Sequence, residues 1–512
     1  MRRLKRIKQA GNKKDSIQAD LTDYSDKKTL LLYSTLQENI DYVKNSLGNS
    51  SDLIIRKTYI DNTKFLQACV IFIDGLSNNT SINEFVLESI RLYDNLDHQF
   101  FEDPLIDPLI KLKELILPIG EIKEISDMDT LLIGILSGDP AILLNGFQAG
   151  FLVGLKGWEE RGVQEPSSET VIRGPREGFS ENIRLNTALI RRKIKDSNLW
   201  LEQLLIGTVT KTTVAIMYLH GIVEETVLQE VRIRLNRIDI DGILESGYIE
   251  ELIQDHTYTP FPTIYNTERP DVTAAALLKG RIAILVDGTP FVLIVPAIFP
   301  QFLQASEDYY QRSDISTLIR ILRFISIFTA LLAPSMFIAI TTYHYEILPR
   351  PLLIALAQQR EGVPFPLIIE AFLMEGTFEL LREAGVRMPR AVGQAISIVG
   401  ALVIGQAAVE AGIVSPAMVI VVAITAITSF AIPSYNMANA FRILRFGMMI
   451  LAATFGLFGI IMGLLLMVQH LCSLRSFGEP FMKPFAGVKK KIFKDTILRV
   501  PWSKMKKSSN KI

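Results

Sequence analysis

The sequence predicts an α/β soluble N-terminal region of two subdomains, followed by an all-α multi-span membrane domain. Three observations carry this. Runs of more than about 20 residues free of Asp, Glu, Lys and Arg occur only in the C-terminal half, at 324–345 and 446–471, with Glu410 the only exception in 391–441. Charged and apolar residues alternate at folded-domain spacing up to about residue 290. Two apolar runs end in Asn-Gly or Asp-Gly and are followed by a second apolar run, at Ala141–Gly146 and Ala283–Gly288.

The N-terminal elements follow from local chemistry. Asn or Asp followed by Gly tolerates positive φ, so each of these runs predicts a β-hairpin. Hydropathy alone would allow a span at 282–303, but the hairpin, with Phe291–Val295 as a sheet strand, is the preferred reading, since a span would put Asp287 and Gly288 at mid-bilayer. Val214–Leu219 predicts a buried strand. Val223–Leu235 predicts an amphipathic helix with Val227, Val231 and Leu235 on one line. A strand leading into such a helix belongs to an α/β layer. The expected divisions are a basic tail at 1–28, a first α/β subdomain at 29–130, a second at 131–300 with the hairpins, a membrane domain at 301–472 and a basic tail at 473–512.

A span needs about 20 apolar residues. Four are expected, at 324–343, 392–411, 415–433 and 447–468, the middle two joined by a turn at Gly412–Pro416. Arg320-Ile321-Leu322-Arg323-Phe324 and Arg442-Ile443-Leu444-Arg445-Phe446 echo one another, each ahead of a span, and read as interfacial anchors. With four spans the first arginine pair lies inside and the second outside. A fifth within 351–381 would place both inside but put the lysine-rich tail outside.

Charge and cysteine content exclude several classes. The chain has 512 residues, 49% of them hydrophobic, and its 54 basic and 54 acidic residues cancel. It is therefore no nucleic-acid coat and no disordered chain. The seven basic residues of 1–14 and the eleven of 473–512 leave an acidic body. These ends read as solvated tails or as lysines facing an anionic leaflet. The basic start runs into Gly11-Asn12, which predicts no signal peptide. Cys69 and Cys472 form no disulfide framework. The five histidines are scattered, with no HExxH, Walker A loop or GxSxG elbow, so no enzyme, metal site or cofactor is expected.

Within 392–411, Gln394, Ile398, Leu402, Gln406 and Glu410 recur every fourth residue and form a slowly drifting stripe at about 100° per residue. Ala401, Gly405, Ala408 and Gly412 form a small-residue stripe beside it, suited to close helix packing in lipid. Such a helix fits a ring, one face on a neighbour and the other lining a lumen. A polar contact inside a closed bundle gives the same pattern. Ala452, Gly456, Gly459 and Gly463 repeat the small-residue device. Glu375, Glu379 and Glu383 share a face of 367–384, either as a solvated interfacial helix or as a cation-attracting vestibule.

A set of motifs completes the picture: Arg173-Gly174-Pro175-Arg176-Glu177-Gly178-Phe179, Asn182 to Arg191, Asn266-Thr267-Glu268-Arg269-Pro270-Asp271, Gly362 to Pro366, Leu380 to Gly385 and Gly405 to Glu410. From about residue 130 to 480 the chain resembles the A subunit of the GerA-type spore germinant receptors. That resemblance implies a multi-pass protein of the spore inner membrane, and the hairpin echoes with the expected lack of a signal peptide place its soluble region on the cytoplasmic side. It implies partners: a B subunit like an amino-acid transporter, which holds the nutrient, and a C subunit lipoprotein. It also implies a homo-oligomer in membrane lipid, forming a nutrient-gated channel that releases monovalent cations to trigger germination. The alternative is a non-conducting scaffold or signalling subunit of the same complex.

Overall fold

Two five-stranded antiparallel sheets, a two-stranded one and a set of helices make up the described residues. The computed structural model describes residues 30–59, 67–83, 121–157, 165–166, 168–387, 405–483, 485 and 495–504. They fall into two units. One takes the chain up to Gly162 together with Arg184–Glu202, the other Val163–Ile183 together with Gln203 onward.

The first unit holds a five-stranded sheet of order β1-β2-β4-β5-β3, formed by Leu53–Tyr59, Gln67–Ile73, Ala141–Leu144, Gly150–Val153 and Ile122–Ile125, the last being β3. Strand β2 is apolar almost throughout because both of its faces are covered. Cys69, Ile71 and Ile73 pack under helices α1 (Leu36–Ser46) and α2 (Met128–Leu136). Ala68, Val70 and Phe72 join Ile142, Leu144, Phe151 and Val153 on the other side. Burial pushes the Cys69 thiol up to about 12, which leaves it an inert core group. The Ala141–Gly146 echo is the hairpin β4–β5, with Ile142 opposite Phe151. Helix α3 (Ile183–Lys193) brings Arg191 onto Asp52, where Nη2 donates to Oδ1 at 2.8 Å and Nη1 to the Leu199 carbonyl at 3.1 Å. Both side chains are buried.

This sheet differs from the division expected at 130/131. Strands β4 and β5 lie beyond that point yet pair with β2 and β3. Pairing register between distant segments decides sheet membership, and no local composition change marks it.

In the second unit the sheet order is β6-β7-β9-β10-β8, from Leu199–Ile206, Thr212–Leu219, Ile282–Val286, Val292–Val295 and Tyr265–Thr267, the last being β8. The second echo is the hairpin β9–β10, with Leu293 opposite Ile284, so 282–295 is sheet and not a span. At its turn Gly288 has φ +90° and donates its N–H to the Glu181 carbonyl at 2.8 Å, a conformation glycine adopts without a Cβ clash. Helix α4 (Glu225–Asn236) buries Val227, Val231 and Leu235 as expected. Helices α5 (Ser246–Ile253) and α6 (Pro270–Leu277) complete the layer.

The same unit continues into α7 (Ser313–Tyr343), α8 (Arg350–Arg360), α9 (Leu367–Arg387), α10 (Pro416–Phe430) and α11 (Tyr435–Ser473). One apolar core runs from Phe261, Ile294 and Phe302 to Leu331, Phe441 and Met449. Among the described residues, α7 and α11 are long and apolar enough to cross a membrane, where four spans were expected. Helix α10 has 15 residues, about 22 Å at 1.5 Å per residue, short of the roughly 30 Å of hydrocarbon. Most of the expected span 392–411 lies outside the described residues. Ile325, Phe328, Ile427, Phe455, Phe458 and Leu465 are exposed on these helices, an apolar outer surface that calls for a non-aqueous neighbour. Gly456 breaks α11 with φ +61°, and Tyr343 Oη donates to the Ala453 carbonyl at 2.6 Å beside the break. A Cβ on Gly456 would lie 2.8 Å from the His344 ring.

Candidate functional site: paired arginine clusters on the helical region

Both arginine echoes resolve into buried ion-pair clusters. A charge in apolar surroundings is costly unless a counter-charge meets it there. In α7, Arg320 Nε donates to Asp308 Oδ2 at 2.9 Å and Nη1 to the Asp495 main-chain carbonyl at 2.8 Å. One turn on, Arg323 Nη1 reaches the same Asp308 at 2.8 Å. Arg320 and Asp308 are each 1% exposed. Asp308 comes from the 3-10 turn Ser306–Tyr309 just ahead of α7, so the turn and the helix are locked together. Arg499 donates to the Asp308 carbonyl at 3.2 Å and stacks on Tyr309 and Trp502.

The second cluster joins α9 to α11. Arg445 lies 3.2 Å from Glu375 and 3.3 Å from Glu379. Arg442 is 3.0 Å from Glu379, and Arg382 holds its other oxygen at 2.9 Å. Three arginines thus surround two carboxylates. Glu383, a turn further on, is half-exposed and, among the described residues, pairs only with Arg387, at 2.7 Å. A third buried acid, Glu370, accepts from the Ser415 N–H at 2.6 Å and also from its hydroxyl, while Ser415 caps α10 through Met418 N–H. Pro416 fills the first helical position, where no N–H is needed.

Of the polar stripe, Gln394, Ile398 and Leu402 lie outside the described residues, as does Ala401 of the small-residue stripe. Gln406 and Glu410 are exposed and bond to each other, Gln406 Nε2 donating to Glu410 Oε1 at 2.9 Å. Gly405 is buried on the opposite side, where a Cβ would sit 3.6 Å from Val419 of the same chain. Ala408 accepts the Ile413 N–H at 2.9 Å, and Gly412, with φ +66°, ends the helical segment.

In the second sheet, two of the quoted motifs meet. Arg269 Nη2 donates to the Pro175 carbonyl at 2.8 Å and to Asp271 at 3.0 Å, and Nη1 donates to the Glu169 carbonyl at 3.1 Å. Glu169 lines a cavity of about 350 Å³ with Glu245, Glu250, Tyr265 and Tyr435. Burial raises Glu169 to about 7, opposed by hydrogen bonding from Thr267, and raises Glu250 to about 7, opposed by Asn266. No group of three or more His, Cys, Asp and Glu able to hold a metal occurs among the described residues.

Residues 41–511 match the sequence model of the Bacillus/Clostridium GerA spore germination protein family. The chain belongs to this family. It is 50% identical to Spore germination protein KA of Bacillus subtilis (strain 168), over 92% of this chain and 86% of that one. It is 42% identical to the uncharacterized membrane protein YfkQ of the same organism, over 96% and 94%. A crystal structure of the N-terminal domain of the A subunit of the Bacillus megaterium spore germinant receptor GerK3 is 41% identical, covering 53% of this chain and 99% of that one, with a TM-score of 0.43.

In this GerA-family chain, sequence reasoning singled out the arginine echoes as interfacial anchors. Within the chain Arg320 and Arg445 are buried, because Asp308, Asp495, Glu375 and Glu379 arrive from other segments to neutralise them. The repeat itself was the signal, since arginine at i and i+3 presents two cations to one helix face. Asp308, Asp495 and Glu370 carried no comparable mark.

Proposed function

We propose that this GerA-family chain is the channel-forming A subunit of a nutrient germinant receptor in the spore inner membrane. It releases monovalent cations when a nutrient-bound B subunit shifts its closed–open equilibrium. It works as a homo-oligomer, with a C subunit lipoprotein as further partner and its soluble region on the cytoplasmic side. The role is non-enzymatic.

One observation carries the pore. Gln406 and Glu410 turn away from the chain's own helices, while Gly405 packs against Val419. A polar pair exposed on an otherwise apolar helical region needs either water or a neighbouring subunit. A ring of such helices supplies both, with Gln394, Ile398 and Leu402 continuing the lining. Glu383 keeps a half-exposed carboxylate for a vestibule.

A non-conducting scaffold is the second reading, and the pairing of Glu375 and Glu379 with Arg442 and Arg445 favours it, because neutralised carboxylates attract no cations. Potassium efflux from liposomes separates the two. The purified chain is reconstituted alone, and with its B and C partners plus nutrient. Nutrient-dependent efflux supports the channel. Its absence from a reconstituted complex that binds nutrient sinks it.

A further inference from the structure

The second unit holds another cavity, of about 370 Å³, between helix α6 and the Ser306–Tyr309 turn that anchors α7. Its floor is apolar, from Val272, Ala275, Ala276 and Ile298, and aromatic groups from Tyr309 and Trp502 form one wall. Two cations face it, Lys279 and Arg281. Both lining acids are already engaged: Asp271 holds Arg269 at 3.0 Å, and Asp495 holds Arg320 at 3.1 Å.

The two cations are not neutralised in this way. Among the described residues, neither Lys279 nor Arg281 has a carboxylate within 4.0 Å. Arg281 spends one nitrogen, Nη1, on the Pro296 carbonyl at 2.7 Å and on the Gln301 side chain. Its Nε and Nη2 make no hydrogen bond among the described residues. Lys279 has the Tyr309 ring at 5.4 Å. Burial lowers Arg281 to about 10, opposed by the charge of Glu479. Among the described residues, neither cation has the close carboxylate that Arg269, Arg320 and Arg323 have, and Glu479 and Asp495 act on them only through their field.

We propose that this cavity binds a small monocarboxylate with a short apolar body, its carboxylate on Arg281 and Lys279 and its apolar part against Val272, Ala276 and Ile298. A guanidinium with two free donors on one edge matches a carboxylate, and the cavity volume falls in the range of small-molecule sites. A cationic or zwitterionic ligand is disfavoured, because no free acid remains to receive its ammonium. The ligand also touches Tyr309, whose hydroxyl donates to Asp495 at 2.6 Å and whose ring lies 5.3 Å from Arg320. Occupancy therefore bears directly on the turn that holds the first apolar helix. The site stands independently of the pore reading.

The test uses the full-length chain in phosphatidylcholine nanodiscs, titrated calorimetrically with hexanoate and with the neutral hexanamide. Hexanoate is expected to bind saturably and at least about tenfold more tightly than the amide. Arg281→Gln and Lys279→Gln are each expected to weaken it about tenfold at an unchanged melting profile. Lys279 is exposed at the cavity mouth, so Lys279→Gln decides the matter if Arg281→Gln unfolds. Equal binding of the amide, or no saturable hexanoate binding up to about 10 mM, overturns the proposal. Loss of hexanoate binding in nanodiscs containing phosphatidylglycerol assigns the cations to a lipid phosphate and overturns the free-carboxylate assignment.

Discussion

Arg445 and Glu375 face each other at 3.2 Å with 1% and 0% of their side chains exposed. Neither Glu375 oxygen has an aligned hydrogen bond among the described residues, so the pair is held by charge more than by directed bonds. Arg320 and Asp308 make the equivalent pair at the foot of α7, but there the hydrogen bonds are aligned, at 2.9 Å.

Removing one member of a buried pair leaves the other charge stranded. Glu375→Ala is expected to destabilise the helical region by about 3 kcal/mol, the low end for such a loss, since Glu379 still lies 3.3 Å from Arg445. The double variant Glu375→Leu with Arg445→Met should recover most of that. Denaturant unfolding in detergent checks both, and a double variant no more stable than Glu375→Ala contradicts the account.

Gly405 packs within its own chain, 3.6 Å from Val419 when a Cβ is added. The small-residue stripe was expected to carry helix contacts, and this contact joins it to α10. Gly405→Leu should therefore lower the melting temperature and leave the oligomeric size of the folded fraction unchanged. A folded variant that runs as a monomer, where the wild type is larger, places the stripe at a subunit interface instead.

The gate prediction rests on the spacing of the stripe. Leu402→Ala should widen or wet the constriction and give nutrient-independent potassium leak at normal protein abundance. Glu410→Gln should lower cation flux with the fold intact, by removing local negative charge from the path. Normal potassium retention at normal abundance of the Leu402 variant counts against the gate.

Sidedness has a direct check. A cysteine at exposed Asp241, in the second unit, should resist a membrane-impermeant thiol reagent in intact cells. Ready labelling reverses the proposed orientation.

Glu169 and Glu250 give a signed pH dependence. Both are raised to about 7 in the folded chain, against the usual carboxylate range near 4.3 in the unfolded one. The folded state then binds more protons between those values, so their contribution is full below the unfolded pKa and falls away as pH rises towards about 7. Each is worth on the order of 1–3 kcal/mol. Glu250→Gln should flatten the stability profile between about pH 5 and 7, measured by thermal unfolding of the variant against wild type. An unchanged slope refutes the assignment.

The sequence by itself determined the local features. The two hairpins, the Val227–Val231–Leu235 face, the turn at Gly412–Pro416 and the two longest apolar helices were all legible. Each rests on residues close in the chain, through side-chain period, the φ freedom of glycine or the run length of apolar residues. Tertiary structure alone decided which segments meet. It set β4 and β5 into the first sheet, turned Gly405 inward and gave Arg320, Arg323, Arg442 and Arg445 their acids. Asp495 stands 175 positions from Arg320, and Glu379 stands 66 from Arg445. No local pattern encodes such a pairing. It follows from burial itself, because an apolar interior admits a charge only where packing delivers the opposite one.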